Sequence, residues 1–176
     1  MAKFKKGDAI YHPINGVGIV QQVKRRRQDG KIQEYYIIQL LDRPKSTQLE
    51  TPVEGAKEVG LQKIPSKRKF PSVKRLLSGR PRQLDDHPQA RARKIRERIR
   101  EGGTLRLGSL VRDLAFRDAR RGLTARDRSF LEEAQGRLAS MHAAVRGIQI
   151  EEARDEVAAR VQERREAWEK SAPKEP

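Results

Sequence analysis

The densest group of side chains with a recognisable chemistry in this sequence is a run of basic residues. Between Arg91 and Glu101 the chain has six basic and two acidic side chains. Guanidinium and ammonium groups at this density bind phosphate oxygens and release counterions, which gives salt-sensitive affinity for nucleic acid without reading its sequence. The alternative is that these side chains simply form a solvated face without a partner. Repulsion among so many like charges on one helix makes this alternative less probable than it is for an ordinary charged helix.

Residues suited to catalysis or metal binding form no comparable group. His87 lies close to Asp85 and Asp86, but no serine or cysteine nucleophile pattern accompanies it. The sequence has no cysteine, and its other histidines, His12 and His142, are too far apart along the chain to suggest a metal site by spacing. We therefore expect a protein that is not an enzyme, with no cofactor and no bound metal.

Positive charge is concentrated in the middle of the chain. The 176 residues include 40 basic and 24 acidic side chains, for a formal net charge of +16, of which residues 66–103 contribute +9 and residues 151–176 contribute −2. This balance implies an acidic partner, most simply nucleic acid, that meets one face of the molecule. No apolar run approaches the roughly 20 residues of a membrane span, and the N-terminus lacks the apolar core of a signal peptide. We therefore expect a cytoplasmic, nucleoid-associated protein with no membrane partner.

The elements that would position the basic run begin with a β-rich region. Three runs rich in β-branched and aromatic residues, at 9–11, 18–23 and 34–40, are separated by turn-forming dipeptides, of which Asp29-Gly30 is the strongest hairpin signal. The pattern stops at Pro65, where a Lys/Arg-rich segment begins. We therefore predict three regions: an antiparallel β-domain over 1–65, an all-α domain over 66–170, and a disordered tail over 171–176.

Beyond Pro65 the apolar spacing becomes helical. It predicts a short helix that ends at Gly79, a basic helix over about 89–101, two helices joined near Gly122, and a last helix over about 151–168. Ile95 and Ile99 lie four residues apart, so the basic helix has only a narrow apolar stripe. Thr124, with Asp127 three residues later, imitates a capping box at the start of the fourth helix. The predicted fold class is α+β with two domains.

Several stretches of the sequence are similar to a known family. GDAIYHPINGVGIV, followed by TPVE and VGLQKI, resembles the N-terminal module of the bacterial CarD/CdnL transcription regulators. VRDLAFRDARRGLTARDRSFLEEAQGRLAS and VRGIQIEEA resemble elements of the C-terminal domain of that family, so the similarity covers about residues 4–165. The transcription-repair coupling factor has a related module, but it is a large translocase whose helicase motifs are absent from this sequence.

The resemblance implies a fold and two partners. In the family, a Tudor-like antiparallel β-barrel binds the β subunit of RNA polymerase, and a helical domain contacts promoter double-stranded DNA just upstream of the transcription bubble. We therefore expect a monomer that modulates open-complex stability. Two alternatives stay open: a polymerase-independent architectural DNA-binding protein, and an adaptor whose helical domain holds another protein.

On the polymerase side, the resemblance points to a basic hairpin. A polymerase-facing arginine of the family aligns with Arg26, which lies between Arg25 and Arg27 beside the Asp29-Gly30 turn. A second family arginine aligns with Glu50, where this sequence reverses the charge. The alternative is that the arginines only keep a hairpin tip soluble. The run from Tyr35 to Ile38 indicates a strand that is buried on both faces or docks a partner, since a strand edge accepts an added strand.

On the DNA side, the resemblance assigns contacts by position and the basic helix supplies more. The residues are Arg91, Arg93 and Arg128 by alignment, with Lys94, Arg98 and Arg100 as additions from the same helix. The tryptophan with which the family enters the minor groove falls on Pro88, and the only tryptophan of this chain is Trp168. Pro88 or His87 is a candidate small wedge, because proline serves that role in some architectural proteins. The alternative is that Pro88 is simply the first-turn proline of the basic helix.

Overall fold

The N-terminal part of the chain forms a five-stranded antiparallel sheet. The computed structural model describes residues 3–28, 30–44 and 46–171. The strands are β1 (Ala9–His12), β2 (Gly16–Gln28), β3 (Lys31–Leu40), β4 (Gln48–Pro52) and β5 (Gln62–Lys63). Their spatial order is β4-β3-β2-β1-β5, so β4 and β5 are the edges of a sheet that is consistent with a Tudor-like fold.

The long hairpin of β2 and β3 has an inner and an outer part. In the inner part Val20 pairs with Ile38, and both side chains are fully buried. The inner part contributes to a core made of Phe4, Ile10, Val20, Tyr36, Ile38, Leu40, Ala56 and Leu61. In the outer part, residues 25–27 pair with residues 32–34 beyond the reach of β4, which pairs only with residues 35–39. The outer part is therefore a two-stranded ribbon, in which Arg25, Arg26, Arg27 and Ile32 are exposed while Gln33 and Glu34 are half-buried.

Five helices follow the sheet. They are α1 (Val73–Ser78), α2 (Pro88–Glu101), α3 (Thr104–Arg121), α4 (Ala125–Arg146) and α5 (Ile150–Lys170). The hydroxyl of Thr124 accepts a hydrogen bond from the backbone N–H of Asp127 at 3.1 Å, which caps the start of α4 as the sequence predicted. Near the end of the bundle, Trp168 of α5 packs edge-on against Phe116 of α3, with ring centroids 5.4 Å apart.

Three residues of the N-terminal region belong to the hydrophobic core of the helical bundle. Tyr11, Val17 and Ile64 pack with the buried residues of the helices rather than with the core of the sheet. The Tyr11 hydroxyl donates a hydrogen bond to the carbonyl of Ile99 at 2.5 Å and accepts one from Arg137 at 2.8 Å. Burial raises the pKa of Tyr11, although the charge of Arg137 opposes this shift, so the hydroxyl keeps its proton at neutral pH.

Gly102 allows this close approach. It ends α2 with φ of +64°, and a Cβ at this position would lie 2.1 Å from Cε1 of the Tyr11 ring. Next to it, the side-chain amide of Gln62 in β5 donates to the carbonyl of Glu101 at 2.6 Å. The end of α2 is therefore fixed to the sheet by ring packing and by two hydrogen bonds to its last carbonyls.

The predicted fold class, α+β, is confirmed. The five predicted helices are present, and the basic helix begins at Pro88, one residue earlier than expected. The burial of Tyr36, Ile37 and Ile38 supports a strand that is covered on both faces. β4 and β5 were not predicted as strands, because these short edge strands have too few residues to show an alternating pattern.

Two predictions fall partly outside the described residues, and one stays untested. The Asp29-Gly30 turn includes Asp29, which lies outside them, although Gln28 and Lys31 on either side are paired. Residues 172–176 of the predicted tail also lie outside. The domain limits 1–65 and 66–170 stay a prediction; β5 ends at Lys63 and α1 begins at Val73.

Candidate nucleic-acid interface

Helix α2 has a buried apolar face and an exposed basic face. Ala92, Ile95 and Ile99 are at most 4% exposed and pack into the core of the bundle. Arg93, Arg96 and Arg100, which follow helical spacing on another face, are exposed, and within the described part of the chain none of the three forms an ion pair. These three arginines, here called the α2 stripe, present guanidinium groups to solvent along about two turns of helix.

Arg91 does not belong to this surface, contrary to the assignment made by alignment. Its side chain is 2% exposed and forms an ion pair with Asp127, with Nη2 2.8 Å from Oδ2. Nη1 donates to the carbonyls of Asp85 and Asp86 at 2.8 and 2.9 Å. Because the buried guanidinium is occupied by these partners, it has no free edge for a phosphate, and we assign Arg91 a structural role.

The Arg91–Asp127 pair joins the starts of two helices. Burial alone would raise the pKa of Asp127, but hydrogen bonds from Arg91 and Thr124 and the positive charge of Arg91 hold this pKa below its ordinary value. Asp127 is therefore a carboxylate at neutral pH. Arg128, the next residue along α4, is exposed. Because its neighbour Asp127 pairs with Arg91 in the first turn of α2, the backbone of Arg128 lies at the same end of the bundle as the start of α2.

Two other predicted DNA contacts of α2 have partners of different strength. Lys94 is 61% exposed and lies 3.0 Å from Asp85, whose pKa is lowered by the hydrogen bond from Lys94. Arg98 is 24% exposed and donates at 3.0 Å to Asp113, whose side chain is completely buried. Lys94 can exchange Asp85 for a phosphate at little cost in free energy, because their ion pair is exposed. If Arg98 moved away from Asp113 to a phosphate, the buried carboxylate of Asp113 would lose part of its neutralisation.

The candidate wedge residues lie at the start of α2. His87 is the N-cap residue, its side chain makes no capping hydrogen bond, and its backbone N–H donates to Asp85 Oδ1 at 3.0 Å. Pro88 occupies the first helical position, as the simpler of the two interpretations predicted. Both side chains are exposed, so the role in helix initiation does not prevent contact with DNA.

The arginines of the hairpin lie in the outer ribbon of β2 and β3. Arg25 pairs with Glu34 across the ribbon at 2.9 Å, and Arg26 reaches Glu50 of β4 at 2.7 Å. Glu50 stands where the family has a second arginine, and it also neutralises Arg26, the residue that aligns with the polymerase-facing arginine of the family. Arg27 is exposed and, among the described residues, forms no ion pair.

Sequence reasoning missed part of this surface. Arg96 was not singled out and Arg100 was only an addition, although both are in phase with Arg93 and out of phase with Ile95 and Ile99. The same phase shows why Arg91 is buried, since it lies four residues before Ile95 and eight before Ile99. The relevant signal was the position of each basic residue around the helix rather than the number of basic residues.

The described part of the chain has neither a metal-binding cluster nor a membrane-spanning helix. Within residues 3–28, 30–44 and 46–171, no group of three or more histidine, cysteine, aspartate or glutamate side chains is arranged to hold a metal ion. No described helix combines the length and the apolar character that crossing a membrane requires.

Comparison with protein families accounts for both parts of the structure. The model for the CarD-like/TRCF RID domain matches residues 4–65, and the model for the CarD C-terminal domain matches residues 72–158. These families are non-catalytic interaction domains associated with transcription and with RNA polymerase. The first match covers the sheet, and the second begins at the cap of α1 and ends within α5. The chain therefore belongs to the CarD/CdnL family.

Proposed function

We propose that this protein tethers to the β subunit of RNA polymerase through the outer ribbon and edge of its sheet, and lays the α2 stripe on promoter DNA near the upstream edge of the transcription bubble. The observation that carries the proposal is the exposed row Arg93, Arg96 and Arg100. The bundle that bears this row packs against a sheet of the polymerase-interaction type, whose Tyr11, Val17 and Ile64 enter the core of the bundle. Such a protein stabilises the open complex only to the extent that it binds this complex better than the closed one.

Two features of the sheet support the polymerase contact. Arg25 and Arg26 are paired, but their partners are exposed enough for an acidic surface to compete with them. β4 lies at an edge of the sheet and pairs only with β3 among the described strands. Its other edge is therefore a candidate for pairing with a strand of the polymerase, next to Glu50.

The DNA contact rests on charges whose ion pairing is weak or absent. The proposed surface consists of Arg93, Lys94, Arg96, Arg100 and Arg128, with His87 and Pro88 at its end. Arg91 and Arg98 lie behind it and hold α2 against α4 and α3. Because these charges contact phosphates rather than bases, affinity is expected to depend steeply on salt and little on sequence.

The polymerase contact is tested by capture of the full chain on the isolated lobe of the β subunit. We expect Arg26→Glu to weaken capture, since it places a second carboxylate beside Glu50 and removes an arginine that could exchange Glu50 for an acidic group of the polymerase. Arg160→Glu, an exposed arginine in an ion pair on α5, is the matched control and should leave capture unchanged. If the folded wild-type chain is not captured, the polymerase-independent architectural role replaces this proposal.

The DNA contact is tested by binding and promoter-melting assays at several salt concentrations. The double variant Arg93→Gln/Arg100→Gln should reduce the salt slope of duplex binding by about two, because two phosphate contacts are lost. A Pro88→Trp variant should increase melting if this position reaches the minor groove. An unchanged extent of melting would argue that the wedge position is unused.

A further inference from the structure

A pocket on the helical bundle has an unusual combination of an apolar lining and arginines. It lies between residues 82–84 and the C-terminal half of α3 and has a volume of about 430 Å³. Leu84 and Phe116 supply apolar surface, while Arg82, Arg117, Arg120 and Arg121 contribute guanidinium groups together with their apolar stems. The volume falls within the range of sites for small organic ligands.

The pocket has an excess of positive charge. Among the described residues that line it, the one carboxylate is Asp113, which is completely buried and already accepts hydrogen bonds from Arg98 and Arg112. Arg117 and Arg121 both lie near one oxygen of Asp86, at 3.4 and 3.0 Å, and that carboxylate is 62% exposed. Two of the arginines thus share a single exposed carboxylate, which an incoming anion can replace.

The other two arginines are also available in part. The side chain of Arg82 forms no ion pair within the described part of the chain. The guanidinium of Arg120 lies over the Phe116 ring at 5.4 Å and donates to the Ser171 hydroxyl at 3.3 Å. The pocket therefore offers the guanidinium of Arg82, without an ion pair among the described residues, beside the flat guanidinium of Arg120 that covers Phe116.

This combination fits a ligand that has both a flat apolar part and an anionic part. A nucleotide meets both requirements, because its base can stack on an aromatic ring or a guanidinium plane and its phosphate accepts bidentate hydrogen bonds from arginine. A base within a duplex is stacked on its neighbours and cannot enter a pocket. The fitting ligand is thus a nucleotide that has left the stack.

The position of the pocket connects it to α2. Asp86, which holds Arg117 and Arg121, directly precedes His87 and Pro88, and its carbonyl accepts a hydrogen bond from Arg91. We propose that the pocket binds an unstacked nucleotide of single-stranded DNA, whose phosphate replaces Asp86 on Arg117 and Arg121. This inference rests on the proposed function, because it takes α2 to be the part that meets the adjoining duplex.

The test compares three fluorescent DNA probes with the full chain at one salt concentration: a duplex, the same duplex with a six-nucleotide single-stranded end, and a short oligothymidine. Relative to wild type, Arg82→Gln/Arg121→Gln should bind the two probes that contain single strand about tenfold more weakly. This is the loss expected when one base no longer stacks on the protein and its phosphate no longer contacts arginine. The same variant should bind the duplex less than twofold more weakly. Arg154→Gln, an exposed arginine away from the pocket, is the control and should change none of the three affinities.

A second variant tests the role of Asp86. Asp86→Asn removes the carboxylate that occupies Arg117 and Arg121, so it should strengthen binding of oligothymidine severalfold. If Arg82→Gln/Arg121→Gln lost the same factor of affinity for all three probes, the two arginines would act only through the overall positive charge of the protein, and the proposal would be overturned. Displacement of oligothymidine by polyglutamate at equal charge concentration would also overturn it, because the pocket would then accept any acidic chain.

Failure of this inference is distinguishable from failure of the proposed function. Arg93→Gln/Arg100→Gln, in the α2 stripe, should weaken binding of the duplex and of the duplex with a single-stranded end alike. If that result holds while the pocket variant shows no selectivity, the pocket proposal alone is wrong. If the wild-type chain binds no probe, the DNA-binding role itself is wrong.

Discussion

The two ends of helix α2 are held by different interactions, a buried ion pair at its start and ring packing with hydrogen bonds at its end. At its start, Arg91 is buried and paired with Asp127 of α4, and the contact stays within the helical bundle. At its end, the ring and hydroxyl of Tyr11 pack against Gly102 and the carbonyl of Ile99, and the contact crosses to the sheet. The comparison shows that one end fixes the shape of the bundle, whereas the other fixes the position of the bundle relative to the sheet.

The largest expected effect comes from breaking the charged end. Arg91→Ala leaves Asp127 buried without its counterion and frees the carbonyls of Asp85 and Asp86, so the free energy of unfolding should fall by about 3–5 kcal/mol. Arg93→Ala, two residues away and exposed, should change it by less than about 0.5 kcal/mol. Urea unfolding of the three proteins checks this, and similar losses for both variants would contradict the buried role of Arg91.

At the other end of α2, the decisive change is a single methyl group. Gly102→Ala should cost about 1–3 kcal/mol more than Gly122→Ala, because both glycines have positive φ but only the Cβ at Gly102 meets the Tyr11 ring. The comparison of their unfolding midpoints isolates the steric contribution. Equal losses would mean that the ring moves aside and that the packing at this junction is loose.

The hydrogen bonds of Tyr11 contribute a smaller amount. Tyr11→Phe should lower the free energy of unfolding by about 1–2 kcal/mol, since the carbonyl of Ile99 and the guanidinium of Arg137 each lose a partner. A double-mutant cycle with Arg137→Met measures the coupling between the two side chains, which should be at least about 0.5 kcal/mol. Arg137 also donates to Glu133 at 2.8 Å and to the carbonyl of Pro13 at 2.9 Å. Strict additivity would show that its hydrogen bond to the Tyr11 hydroxyl contributes no stability.

The charged end should also respond to acid, whereas the end at Tyr11 should not. The pKa of Asp127 is lowered in the folded state, so its contribution to stability is complete above the ordinary pKa of aspartate, about 3.9, and is lost as the pH falls from there towards the folded value. Wild type should therefore lose stability more steeply between pH 5 and about pH 3 than Arg91→Met/Asp127→Leu. Parallel losses would show that other carboxylates dominate acid unfolding.

The smallest effect is expected for the exposed pair beside the charged end. Lys94→Gln removes the contact with Asp85, and because the lysine is largely solvated the thermal midpoint should not change measurably. On the proposed function, the same variant should reduce the salt slope of duplex binding by about one. A clear loss of stability would mean that Lys94 also has a structural role.

The sequence predicted the elements of this fold better than the contacts between them. Apolar spacing located the five helices and the strands of the main hairpin, because a helix or strand displays its own period over neighbouring residues. The partners of the charged residues were not predictable in this way. Arg91 pairs with a residue 36 positions away and Arg26 with one 24 positions away, and only the packing of separate elements brings these side chains together.

For the candidate site, the sequence predicted that α2 is a basic helix but not which of its basic side chains are exposed, and DNA contact by this helix stays a prediction. The choice of α2 as the basic surface followed from composition, whereas the division of its arginines into exposed and buried groups followed from their phase with Ile95 and Ile99. That phase was present in the sequence. The pocket beside Asp86 was not, because it needs residues 82–84 to lie against the second half of α3.

The packing of Tyr11 into the helical core has a consequence for how two weak contacts combine. The sheet and α2 are fixed to each other, so once the sheet has bound the polymerase, the effective concentration of α2 at the DNA is set by geometry alone. Little further entropy is lost when α2 then binds the DNA. A rigid connector gives this gain only when the spacing of polymerase and DNA matches its own. On the proposed function, Tyr11 and Gly102 would thus favour promoters whose spacing matches the fixed arrangement of sheet and α2, although neither residue belongs to the proposed DNA surface.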